Sequence, residues 1–288
     1  MPNKEVMKQL RRQKKVWDEA QGWLASIYVG YYKQALDKYA LTDVPEMICA
    51  KYFHTYDVVE WMKTIYIKLR QKGILKRAVV EEMQFILPFV ITALTHDVAR
   101  PQEAIETGAH TNQHGFNHGK IGADMIANSP LNEMGIPEFE RIIAAVRQHG
   151  QIKADDSDCF TLIIRDADKM ASLAEIEEAS GRTFSSLTIG FSEDVLSCFL
   201  AGKRFRTNQI KTRADRIVLL LSWYIDLNYD VTKELFFEER IDQRCLEILK
   251  EHLFSEGADD PETRGSEHIT TFQQIEAIVA VWKSELGI

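Results

Sequence analysis

Apolar residues recur along this chain at intervals of three and four. Nowhere does a two-residue alternation persist long enough to make a half-buried strand, and no Asn-Gly or Asp-Gly pair joins two β-branched runs. A chain so patterned buries its apolar side chains only by packing helix stripes against each other, so the expected fold class is all-α. The periodicity predicts helices over roughly 4–40, 45–72, 76–99, 118–128, 137–149, 157–180, 191–201, 211–227, 231–253 and 270–286. Pro45 and Pro137 fall near helix starts, and Gly73 and Gly150 follow helix ends. Two stretches break the pattern. Residues 100–117, RPQEAIETGAHTNQHGFN, read as a loop between helices, able to shape a pocket. Residues 255–268, SEGADDPETRGSEH, read as a polar loop before a last helix expected to pack back on the body.

With 288 residues, 45% of them hydrophobic, the chain can bury a sizeable core. The organisation expected is an N-terminal helical extension over 1–44, a catalytic domain over 45–185, and C-terminal helices over 186–288 packed on it. No apolar run reaches the 18 or so residues of a membrane span, and the basic start lacks a signal-peptide core. Cys49, Cys159, Cys198 and Cys245 show no CxxC or zinc-ribbon spacing and sit in apolar helical contexts. They read as small core residues in a reducing, cytoplasmic setting. The formal net charge of −8 argues against binding duplex nucleic acid. It does not exclude a small anionic substrate, and self-association is left open.

His54 shares a helix face with Met47, Ala50, Val58, Trp61 and Ile65, so its imidazole points inward. His96 and Asp97 end FILPFVITALTHDV, a segment apolar nearly all round. A buried imidazole beside a buried carboxylate is costly unless the charge is compensated, and a divalent cation compensates it. His118 falls in the first turn of a helix, where free N–H groups also favour an anion. His149 ends PEFERIIAAVRQH on the face of Ile142, Ala145 and Val146. Asp166 and Asp168 lie in LIIRDADKMASL, equally far from the centre of its apolar arc, so periodicity does not choose between them. The series offers nitrogen and oxygen but no thiolate, a set suited to Mn²⁺, Fe²⁺, Co²⁺, Ni²⁺ or Zn²⁺, with Mg²⁺ also compatible. Arg100, Lys120, Arg147, Arg165 and Lys169 flank these positions, and Arg100 is adjacent to the His-Asp pair. His110 and His114 read as loop or lid residues.

The order H…HD…H…H…D resembles the HD superfamily of metal-dependent phosphohydrolases. ALTHDVARPQ is similar to the ALLHDIGRFxQ segment of one bacterial HD-domain group, NHGKIGADMI to its nH…Ga.iL stretch, and IIRDADKMA to its xxDADKL end. LLLSWYIDLNYDVTKELFFEERIDQRCLEIL resembles that group's C-terminal helices, so the likeness runs over about 50–254. It implies an HD-type helical bundle with further N- and C-terminal helices, and a first metal on His54, His96, Asp97 and Asp168. It also implies that His118 and His149 ligate a second metal bridged by Asp97, or else contact the substrate phosphate. Asp97 and Arg100 would then be catalytic, and Arg100, Lys120, His118 and His149 would bind substrate. Where many members carry paired histidines this chain reads Gln148-His149-Gly150, and where some carry an acid three residues after the pair it has Arg100. The activity implied is metal-assisted hydrolysis of a small phosphate ester, a nucleotide or a related mono- or diester. A regulatory module that keeps the metal pocket, or a di-iron oxygenase of the same fold, fits the same ligand set.

Overall fold

The computed structural model describes residues 4–75, 79–108, 115–151, 158–174, 190–203, 205, 209–254 and 264–288, and every regular element among them is a helix. His110 and His114 lie outside the described residues. The chain divides into two compact units, Met1–Ala171 and Ser172–Ile288. No helix among the described residues is long and apolar enough to cross a membrane.

In the first unit, α1 (Lys4–Tyr39) buries Val16, Ala20, Leu24, Tyr28 and Ala35, spaced to form one stripe. The second helix, α2 (Val44–Gln71), has Pro45 in its first turn and buries Ile48, Val58, Met62, Ile65 and Leu69. It stops before Gly73, whose φ of 70° suits glycine. Next comes α3 (Val79–Thr95), apolar enough that Phe89, Val90, Ile91, Ala93 and Leu94 are all buried, so neighbours must cover it on several sides. They do. Helices α1, α2 and α3 pack pairwise, and α6 (Phe139–Gln148) lies on α3. Phe89 stacks on Phe160 of α7 (Cys159–Ala174) with centroids 4.0 Å apart. Fully burying one such side chain contributes roughly 1.5–3 kcal/mol.

The stretch 100–117 is not all loop. Arg100–Thr107 forms a helix, α4, packed on α1 and α2. Pro101 stands in its first turn and Gly108, at φ 70°, closes it. α5 (His118–Ala127) packs closely against α6, and a 3₁₀ turn over Pro130–Met134 leads between them. The expectation for the cysteines is corrected as well. Only Cys245 is buried, while Cys49, Cys159 and Cys198 keep part of their surface open, and all four are free thiols.

The second unit holds α8 (Glu193–Leu200), α9 (Arg213–Ser222), α10 (Asp230–Glu238), α11 (Ile241–Phe254) and α12 (Arg264–Leu286). The sequence places the start of the last helix near 270; the structure starts it at Arg264, inside the stretch read as a polar loop. α9 opens with a reciprocal cap between Thr212 and Asp215. α12 packs on α8, α10 and α11, and Trp282 stacks on Tyr224 at 4.6 Å.

Candidate metal centre

Five chain segments of the first unit bring side chains to one place. His54 sits midway along α2, and Asp168 sits on α7. His96 and Asp97 occupy the turn after α3, closed by Val98 N–H donating to the Thr95 carbonyl and Arg100 N–H to that of Asp97. His118 is the first residue of α5, where the Asn117 side chain accepts from Lys120 N–H. His149 ends α6. Glycines let these last two meet. A Cβ at Gly119 would stand 2.9 Å from the Arg147 carbonyl oxygen, and one at Gly150 2.9 Å from Cε1 of His118.

The donor atoms form two groups, each with its atoms within 4.8 Å of one another: His54, His96, Asp97 and Asp168, and Asp97, His118 and His149. Asp97 belongs to both. Its Oδ2 lies 3.5 Å from His96 Nε2, and its Oδ1 lies 3.5 Å from His149 Nε2 and 3.7 Å from His118 Nε2. Asp168 Oδ1 is 2.9 Å from His54 Nε2 and 3.6 Å from His96 Nε2. The cluster is buried except at Asp168, whose side chain is 31% exposed, so Asp168 marks the side open to solvent.

Two of the rings are held from behind. His96 Nδ1 donates to the Ala93 carbonyl and His149 Nδ1 to that of Val146, each at 2.7 Å. In a neutral imidazole that bond fixes the tautomer and aims the Nε2 lone pair at the cluster. His118 Nε2 lies 3.0 Å from His149 Nε2. Burial, and then the neighbouring His149 ring, press the His118 pKa down to about 2, so the ring is neutral. Burial also pulls on His96, but the Asp97 and Asp168 carboxylates outweigh it and hold that imidazole up to about 10. Burial alone would raise both carboxyls. Lys51, His96 and Arg100 overcome it at Asp97, and His54 and His96 at Asp168, so both stay well below the usual carboxylate range.

The flanking cations separate into kinds. Arg100, only 12% exposed, donates to Asp97 Oδ1 at 3.2 Å and to the wholly buried Glu103 at 2.5 Å. Its donors thus serve the protein's own carboxylates. Arg165 donates to the backbone carbonyls of His149 and Gln151, fixing the end of α6. Arg147 pairs with Asp124 at the surface, and Lys120 is exposed with no ion pair to the cluster. Sequence reasoning missed Lys51, whose ammonium lies 3.0 Å from Asp97 Oδ2, and Glu103. It also missed Tyr28, whose hydroxyl donates to the Asp97 carbonyl at 3.2 Å. Lys51 stands three residues before His54, hence on the same helix face, and that spacing was its only signal. Of the two aspartates the periodicity left open, Asp168 joins the donor group, while Asp166 is wholly buried on the same helix and belongs to neither group.

The donors fit a divalent cation. His96 Nε2 is buried and makes no hydrogen bond, although it lies among the nitrogen and oxygen ligand atoms of His54, Asp97 and Asp168. The spacing of the His118 and His149 nitrogens is close to the edge of about 3.0 Å between adjacent ligands some 2.1 Å from an octahedral ion. No model of a known protein family matches the chain, and no curated protein or solved structure matches it.

Proposed function

We propose that this chain is a metal-dependent phosphohydrolase of HD type that acts on a small phosphate ester, a nucleotide or a related mono- or diester. The observation that carries this reading is Asp97, one buried carboxylate offering an oxygen to each of two His/Asp donor groups. In the first group His54, His96, Asp97 and Asp168 would hold a divalent cation. In the second, Asp97, His118 and His149 would hold another, or the two histidines would meet the phosphate. A cation held there supplies Lewis acidity at a phosphoryl oxygen and acidifies a water. The remaining work falls to the chain. Arg100, itself held by Glu103, keeps Asp97 aimed at both groups. Tyr28, its phenol pushed well up by burial and by the Asp97 charge, stays protonated and donates to the Asp97 carbonyl. A neutral His118 can donate from Nε2 to a phosphate oxygen, or present a lone pair once its proton moves to Nδ1. Beside it a hollow of about 270 Å³, lined by Phe116, Asn117, His118, Arg147 and Gln151, gives room for a small anion. Metals with nitrogen and oxygen preference, Mn²⁺, Fe²⁺, Co²⁺, Ni²⁺ or Zn²⁺, suit the donors, and Mg²⁺ is compatible. A reducing cytoplasmic setting accords with the four free thiols.

The test is metal analysis of the purified protein, followed by phosphate release from a panel of nucleotides and phosphoesters with added Mn²⁺, Co²⁺, Ni²⁺ or Mg²⁺. Metal-stimulated release that disappears in Asp97→Ala is the expected result. Binding of metal without release from any phosphoester would overturn the hydrolase and leave a metal-binding module.

A further inference from the structure

We propose that Lys51 is a built-in competitor of the divalent cation at Asp97 Oδ2, and that it couples metal uptake to the arrival of an anionic ligand. The inference rests on reading the His/Asp cluster as a metal centre. Lys51 Nζ lies 3.0 Å from Oδ2, the oxygen that stands 3.5 Å from His96 Nε2 in the group His54, His96, Asp97 and Asp168. A doubly charged ion taking this oxygen would stand within a few ångströms of the ammonium, and at that separation like charges repel strongly in a buried site. One cation must leave. Of the cations around it, the two that hydrogen-bond to the Asp97 carboxylate, Lys51 and Arg100, differ in their freedom to do so. Arg100 is bound on its far side to Glu103 and is nearly buried. Lys51 ends a flexible stem, its side chain is 25% exposed, and among the described residues no second carboxylate forms an ion pair with it. It stands one turn before His54 and can swing toward solvent without disturbing α2.

The displaced ammonium remains beside the centre, where an anion bound to the metal would attract it. An anion that draws Lys51 off Asp97 therefore strengthens the hold on the metal. By thermodynamic reciprocity, the metal strengthens the hold on the anion by the same factor. Lys51 is on this account a positioning residue. Its effect is read in equilibrium binding, without turnover.

Chelator-stripped protein is titrated with Mn²⁺ in a calorimeter, with and without inorganic phosphate, for wild type, Lys51→Met, Lys51→Gln and Lys51→Arg. Without phosphate, Lys51→Met is expected to bind Mn²⁺ about threefold to tenfold more tightly than wild type, the scale of a partly exposed ion pair. Phosphate is expected to tighten Mn²⁺ binding about fivefold or more in wild type and clearly less in Lys51→Met. Direct contact between phosphate and metal persists in both, so the difference between them belongs to the lysine. Lys51→Arg keeps the charge and should follow wild type. Lys51→Gln repeats the neutral case should methionine disturb folding, which far-ultraviolet circular dichroism reports. Neutral variants that bind Mn²⁺ no more tightly than wild type, or that keep the full effect of phosphate, would overturn the role of Lys51 and leave the metal centre standing. Failure of wild type to take up any metal would overturn the metal centre itself, and this inference with it.

Discussion

At the scale of single residues, the cluster is organised around the scarcity of charge in a buried place. Asp97 and Asp168 are its two carboxylates, and four imidazoles, one lysine and one arginine surround them. Asp168→Asn keeps size and removes charge, so Mn²⁺ affinity is expected to fall by more than the roughly 10- to 100-fold typical of a residue acting behind a ligand. Asp166→Asn should stay within that range, and calorimetric dissociation constants for the two variants decide between them. The reverse order would move the ligand by two residues. The sequence alone did not separate this pair, because a helical wheel reports the direction of a side chain and is silent on what waits there. Only the DADK-like resemblance pointed to Asp168. Arg100 carries a different expectation now that its partners are visible. Arg100→Ala takes the guanidinium away from the buried Glu103, so unfolding free energy should drop by about 3 kcal/mol, the scale of a broken buried pair. Urea denaturation measures it. A loss below about 0.5 kcal/mol would mean that the Arg100–Glu103 pair contributes no more than an exposed one.

At the scale of elements, the close approach of α5 to α6 is what brings His118 to His149. Gly119 allows it. A methyl group there would meet two backbone carbonyl oxygens, of Arg147 at 2.9 Å and Val146 at 3.0 Å, and backbone cannot rotate away. Gly119→Ala is therefore expected to cost about 1–3 kcal/mol in spite of alanine's better helix propensity. Gly22, on the exposed side of α1 with nothing within 4 Å of its would-be Cβ, is the control, and Gly22→Ala should stabilise by about 0.5–1 kcal/mol. Opposite signs in parallel urea titrations are the expected outcome, and stabilisation by both would mean that α5 and α6 stand farther apart than described. The long helices were legible because an apolar stripe repeats over many turns, as along Val16, Ala20, Leu24 and Tyr28. α4 was not. Eight residues give barely two turns of periodicity, and the histidines, amides and glycines that follow made the whole stretch look like loop. Its start and stop signals, Pro101 and Gly108, were nevertheless present in the sequence.

For the whole molecule, every described donor of the cluster lies in the first compact unit, on segments far apart in the chain. No local stretch of sequence could display that convergence. It was legible only as a series of inward-facing histidines and acids, and as a family resemblance in their order. A site assembled in this way exists only when the unit is folded, so anything that binds it stabilises the fold by mass action. At a free metal concentration 100 times the dissociation constant, the gain is about 2.7 kcal/mol. For a unit of this size, each kcal/mol raises the melting temperature by about 2–4 °C. Adding Mn²⁺ to chelator-stripped protein should therefore raise the melting temperature by about 5–10 °C, and excess chelator should reverse the rise. Asp97→Ala removes an oxygen from both donor groups, and in that variant the shift should vanish while the far-ultraviolet helical signal persists. Differential scanning calorimetry with and without Mn²⁺ measures both proteins. An equal shift in wild type and Asp97→Ala would mean that the metal binds elsewhere on this acidic chain, and the assignment of Asp97 as the shared ligand would fall.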